Sequence, residues 1–222
     1  VVNVTNDPTG SQRGIVVSGR GEASGAPDTV AVSVGVSVKR PTAPAAISDG
    51  AASAQRVIDA LKGAGVADKD IRTTNYSLNQ EFRYPEGGSP QPDGFRVTNQ
   101  VVAKVRTIDT VGAVIDAATT AGGDDAVVQG ISFSLDDDSA ALEVARDAAF
   151  ADAKAKAEQF AQLSGRRLGE VVSIDHRVAP PVTVPREQLG YARDAVAMST
   201  PIEAGEVDTV VTVDVRWTFV DE

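Results

Sequence analysis

The chain has 222 residues, 31 acidic side chains against 21 Lys and Arg, a net charge of −10 and no cysteine. That length supports a large core without cross-links, while the absence of thiols excludes disulfides, thiolate metal sites and cysteine nucleophiles. The charge opposes nucleic acid and anionic membrane surfaces, so no nucleic-acid partner is expected. No apolar run approaches the roughly 18 residues of a membrane helix, and the opening lacks the basic and apolar regions of a signal peptide.

Residues 1–13 are polar and read as a flexible tether ahead of a single domain over 14–222. A short strand over 15–18 comes first, and Gly19 and Gly21 behind it read as a bend into the next strand. That strand, 30–38, has valine at every second position, which commits one face to burial. A helix over 45–62 follows, with Ile47, Ala51, Ala54, Ile58 and Leu61 at steps of three and four. Strands are expected over 75–84 and 95–106, joined by a loop over 85–94. Thr107 is expected to cap a short second helix running to about Ala121, and another strand covers 127–135. Asp136, Asp137, Asp138 and Ser139 open a long helix ending at Leu163, whose inner stripe is mostly alanine. Strands over 168–178 and 207–219 complete the order ββαββαβαββ. Each helix ends before a glycine, at Gly65, Gly122 and Gly165, suited to a left-handed C-terminal cap. The pattern predicts an α+β fold, a largely antiparallel mixed sheet with three helices on one face.

The loop 179–206 exceeds the ~15 residues of ordinary connections. It carries Leu189, Tyr191, Val196 and Met198 among Arg186, Arg193 and Asp194, more apolar side chains than a linker needs. These four are the candidate interaction residues. They could lie against the parent domain, a neighbouring copy or an envelope ligand.

Patterns for catalysis fail one by one. Gly19-Arg20-Gly21 lacks the third glycine and following helix of a dinucleotide site. His176 is the only histidine, its neighbour Asp175 points to the opposite strand face, and no G-x-S-x-G elbow exists. The Asp136–138 run lacks the alternating ligands and glycine of a Ca²⁺ loop and reads as helix capping. Asp124 and Asp125 read as a turn, and Asp152 with Lys156 as an i,i+4 pair on a solvated face. No catalytic residue, metal ligand or cofactor is expected, and the chain is not expected to be an enzyme.

The remaining phrases carry a resemblance. Val17-Ser18-Gly19-Arg20-Gly21-Glu22-Ala23 with Pro27-Asp28, then Ala60-Leu61-Lys62, Asp70-Ile71-Arg72-Thr73, Tyr76-Ser77-Leu78, Phe95-Arg96-Val97-Thr98-Asn99, Gly130-Ile131-Ser132-Phe133 and Lys156-Ala157-Glu158 together resemble the SIMPL-domain family. The blocks follow the family's order over about 14–174. Residues 161–169 and 201–205 are most similar to actinobacterial lipoproteins of that family. The resemblance implies an exported cell-envelope protein without catalytic residues, acting as a structural or interaction module. Its expected partners are further copies of itself or an envelope protein, with membrane attachment only through a lipid anchor that this chain does not contain. That anchor would place it on the outer face of the plasma membrane. The alternative is a binding protein for a small envelope ligand.

Overall fold

Alternating valines make one strand the centre of a sheet. In the computed structural model, which describes residues 14–180, 182–184, 200 and 202–220, Val30, Val32, Val34, Val36 and Val38 are all fully buried. They lie on β2 (Thr29–Arg40), which follows β1 (Gly14–Gly25). The elements after it are α1 (Ala43–Gly63), β3 (Ile71–Arg83), β4 (Gln91–Val105), α2 (Val111–Gly122) and β5 (Ala126–Ser134). Then come α3 (Ser139–Leu163), β6 (Arg167–Val178), β7 (Val182–Val184) and β8 (Glu206–Val220). The expected α+β class and element order hold, with β7 added inside the segment read as loop.

The strands form two antiparallel sheets where one was expected. One has the order β1-β8-β6 with β7 also on β8, and the other has the order β3-β4-β2-β5. The reason lies in β1. It pairs with β8 along its whole length, Gly14 opposite Thr218 and Gly25 opposite Val207, and not with its neighbour in sequence. The region 14–222 accordingly contains two compact units. The first holds residues 14–26, 135–180, 182–184 and 205–220, and the second holds 27–134, 200 and 202–204.

In the second unit, α1 and α2 cover one face of the sheet. Ala54, Val57 and Leu61 of α1 meet Val111, Val114, Ile115 and Ala118 of α2 over the β2 valines and Val101, Ala103 and Val105 of β4. The helix α1 ends in a Schellman closure: Val66 N–H donates to Leu61 O (3.1 Å) and Gly65 N–H to Lys62 O (3.0 Å). Gly65 has φ 93°, the left-handed conformation that needs no Cβ, as expected. At α2 the expectation shifts by one residue, since Gly122 is still helical and Gly123 takes the positive φ of 56°. Nor does Thr107 cap α2. A 3₁₀ turn, Ile108–Thr110, intervenes, and the Thr107 carbonyl accepts from the Thr110 amide and hydroxyl.

The hairpin β3–β4 is longer than its turn signals suggested. Phe82 pairs with Pro92 and Arg83 with Gln91, so the connecting loop is confined to 84–90. Proline is tolerated there because β2 reaches only as far as Phe95, opposite Arg40. The missing amide of Pro92 faces no strand on that side.

In the first unit, Ile15, Val17, Val211, Val213, Val215 and Trp217 face an alanine stripe on α3 made by Ala145, Ala149, Ala153 and Ala157. Trp217 is buried and stands 6.3 Å from Phe150 in a tilted ring contact. At the other end of α3, Arg166 N–H reaches Ala161 O (2.9 Å) and Gly165 N–H reaches Gln162 O (3.0 Å), a second Schellman closure. Its start is held by Asp137, whose carboxylate accepts the Ser139 amide at 2.9 Å. Hydrogen bonds from Ser139 hold that carboxyl below the ordinary carboxylate range. No described helix is long and apolar enough to cross a membrane.

Candidate interaction surfaces

Where α3 sits on its sheet decides which strands remain open. Gly19 and Gly21 do not make a bend: both lie inside β1, under the helix. A Cβ on Gly19 would stand 2.1 Å from Ala149 O, and one on Gly21 would stand 2.0 Å from Ala145 O. The two glycines and the facing alanines therefore let helix and strand backbones touch. Polar contacts lock that seat. The Asp152 carboxylate accepts the Arg20 amide at 2.9 Å, and Lys156 Nζ donates to Asp152 at 2.6 Å and to Ser18 O at 3.3 Å. The hydrogen bond from Lys156, followed by that from the Arg20 amide, holds the Asp152 carboxyl below its ordinary range. The pair read as decoration on a solvated face thus fastens α3 to β1. An amide of an edge strand finds its acceptor on the helix, which protects that edge.

The opposite edge of the same sheet, β6, has no such cover among the described residues. Leu168, Val171, Ile174, His176 and Val178 pair with Phe219, Trp217, Val215, Val213 and Val211, so they share the helix-facing side of the sheet. Displaced towards β1, α3 leaves most of them open. Val171 is 42% exposed, Ile174 53% and Val178 45%, and the unpaired Val172 beside them is 47% exposed. Between α3 and β6 runs a groove of about 400 Å³ lined by Arg146, Asp147, Phe150, Ile174, His176 and Val213. His176 is exposed on this edge strand, as expected of a surface histidine. The second unit has an apolar edge as well, on β3, where Tyr76, Leu78 and Phe82 are 54%, 39% and 44% exposed.

Leu189, Tyr191, Val196 and Met198, the interaction residues chosen from the sequence, lie outside the described residues. What is described on either side of them narrows the loop. Val182, Thr183 and Val184 pair with Asp208, Val207 and Glu206, so part of 179–206 belongs to the sheet ladder. Beyond them, the Thr200 hydroxyl donates to Asp116 at 2.8 Å and its amide to the same carboxylate at 3.3 Å. Ile202 packs on the core of the second unit. The expected tether, 1–13, also lies outside the described residues. The strand expected over 168–178 is β6, and the one mark in its sequence of an irregular, open edge is the adjacent pair Val171 and Val172, which breaks strict alternation. That break was itself the available signal. It coincides with the register shifts of β6 against β8 around Val171.

Among the described residues, no three His, Asp or Glu side chains converge in a group that could hold a metal ion. The surfaces on hand suit recognition through apolar side chains and free backbone groups.

Comparison with known proteins agrees with the resemblance carried by the sequence phrases. The 26 kDa periplasmic immunogenic protein of Brucella melitensis is 32% identical over 222 residues, covering 95% of this chain and 86% of that protein. The protein of the same name from Brucella abortus matches equally. The uncharacterized protein YggE of Escherichia coli is 27% identical over 165 residues, 74% of this chain and 66% of its own. A family model, SIMPL, described as a protein of unknown function (DUF541), matches residues 15–217. Spanning both sheets and all three helices, that match establishes that the chain belongs to the SIMPL family.

Proposed function

We propose that this chain is a non-catalytic, exported module of the bacterial envelope that assembles with copies of itself along β6. The observation that carries the reading is an exposed apolar edge strand with no covering element among the described residues. Such an edge offers a row of backbone donors and acceptors to another strand. The strand is also self-complementary. Antiparallel pairing of two β6 strands about a two-fold axis through Ser173 sets Glu170 opposite His176, Val172 opposite Ile174 and Leu168 opposite Val178. A two-fold interface of this kind is isologous, the commonest form of closed assembly. The periplasmic relatives support export; tethering through a lipid anchor is the further part of this proposal.

Sedimentation or light scattering on the purified chain tests the assembly. A dimer or larger species is expected, and Ile174→Lys, which puts a charge into the pairing edge at a site already 53% exposed, should yield monomers with unchanged circular dichroism. A monomer at high micromolar concentration, or an assembly indifferent to Ile174→Lys, would overturn the β6 reading. For the non-catalytic part, neither stoichiometric metal nor turnover on an ester and peptide panel is expected. Turnover lost in His176→Ala would reverse that conclusion.

A further inference from the structure

A second apolar surface lies where α3 ends, independent of the β6 edge. Phe160 and Leu163 on the last turns of the helix, Ile15 near the start of β1 and Phe219 on β8 form the walls of a groove of about 470 Å³. That volume lies within the range of small-ligand sites. Leu163 is 76% exposed, a poor position for a leucine whose only role is to finish a helix. At the rim, Arg166 lies over the Phe219 ring with its guanidinium carbon 5.1 Å from the centroid. Among the described residues that guanidinium has no acidic partner, in a chain with ten more acidic than basic side chains. A groove with four apolar walls and one unclaimed cation at its mouth complements a single hydrocarbon chain ending in an anion.

We propose that this groove binds a single-chain anionic amphiphile, a free long-chain carboxylate. The acyl tail lies along Ile15, Phe160, Leu163 and Phe219, and the carboxylate takes the planar fork of Arg166. Arginine suits that role because its paired N–H groups match a carboxylate bidentately while its face rests on an aromatic ring. The backbone amide of Arg166 closes the helix end at Ala161 O, a bond that Arg166→Ala preserves.

Calorimetric titration of the whole chain with octanoate, decanoate and dodecanoate, each below its micellar concentration, provides the test. Affinity should rise about fourfold for each added methylene. Arg166→Ala should weaken dodecanoate by about tenfold and leave dodecanol unaffected. Leu163→Glu, at a position too exposed to endanger folding, should remove binding of both. Three results would overturn the proposal: affinity independent of chain length, equal loss of alcohol and acid in Arg166→Ala, or capture by anionic phospholipid vesicles without binding of monomeric dodecanoate. The last would identify a membrane surface as the partner. Binding that appears only once residues 1–13 are removed would instead name that segment as the occupant and overturn it equally.

Discussion

A methyl group on Gly19 would meet the backbone of α3 at two points, Ala149 O at 2.1 Å and Ala153 N at 2.5 Å. Backbone cannot swing aside as a side chain can, so Gly19→Ala must lift the helix from the sheet. A loss of about 3 kcal/mol is expected, the upper end of overpacking costs. Gly63, in the last turn of α1 with nothing near its missing Cβ, is the control. Gly63→Ala should stabilise by about 0.5–1 kcal/mol through helix propensity alone. Urea unfolding of both variants decides, and equal midpoints would show that the helix does not rest on β1 as described. On the same sheet, Trp217→Ala removes a buried ring and should cost about 3–5 kcal/mol. Trp217 is the only tryptophan, so its fluorescence follows Gly19→Ala in the first unit, while circular dichroism follows Gly63→Ala in the second.

Elements are joined by carboxylates whose titration has a definite sign. Asp152, held by Lys156 and the Arg20 amide, fastens α3 to β1. Asp70, held by Arg106 with both contacts at 3.0 Å, links the turn before β3 to the end of β4. Glu81, held by Arg96 and then Lys39, ties β3 to β4 and, across it, to β2. All three carboxyls are held below their ordinary range. Each contribution to stability is therefore complete above the unfolded carboxylate value near pH 4 and is lost as pH falls through the lower folded value. Asp152→Asn should lower the unfolding midpoint at pH 7, and the gap from the parent chain should narrow as pH falls below the ordinary carboxylate value near 4. A gap that persists in acid would mean that Asp152 acts through packing alone. The segment after the undescribed loop is testable at this scale too. Ile202→Ala should destabilise the second unit by about 2 kcal/mol, because its side chain packs on that core.

For the whole molecule, the two candidate association surfaces make separable predictions. Replacing 185–199 with a Gly/Ser connection of equal length removes Leu189, Tyr191, Val196 and Met198 but keeps β7, Thr200 and Ile202. Self-association should weaken by about tenfold, the loss of one modest apolar contact, whereas Ile174→Lys should abolish it. Full loss on loop replacement would transfer the interface from β6 to the loop. The strands, the helices and their order were legible in the sequence because period 2 and period 3.6 are properties of local chain geometry, which Val30 to Val38 and the alanine stripe of α3 state directly. Trp217 was legible as core for the same reason. Pairing was not legible: the alternation in β1 and β8 says which face is buried but not which strand lies alongside, and their partnership spans nearly the whole chain. The family phrase Gly19-Arg20-Gly21 could be seen, but its role could not, since the close approach it permits depends on a helix more than a hundred residues away. The openness of β6 follows from that approach. The sequence by itself determined the elements and the faces they bury, while the tertiary structure alone decided which edge was covered and which was left open, because one helix seated on one pair of glycines cannot cover every strand of its sheet.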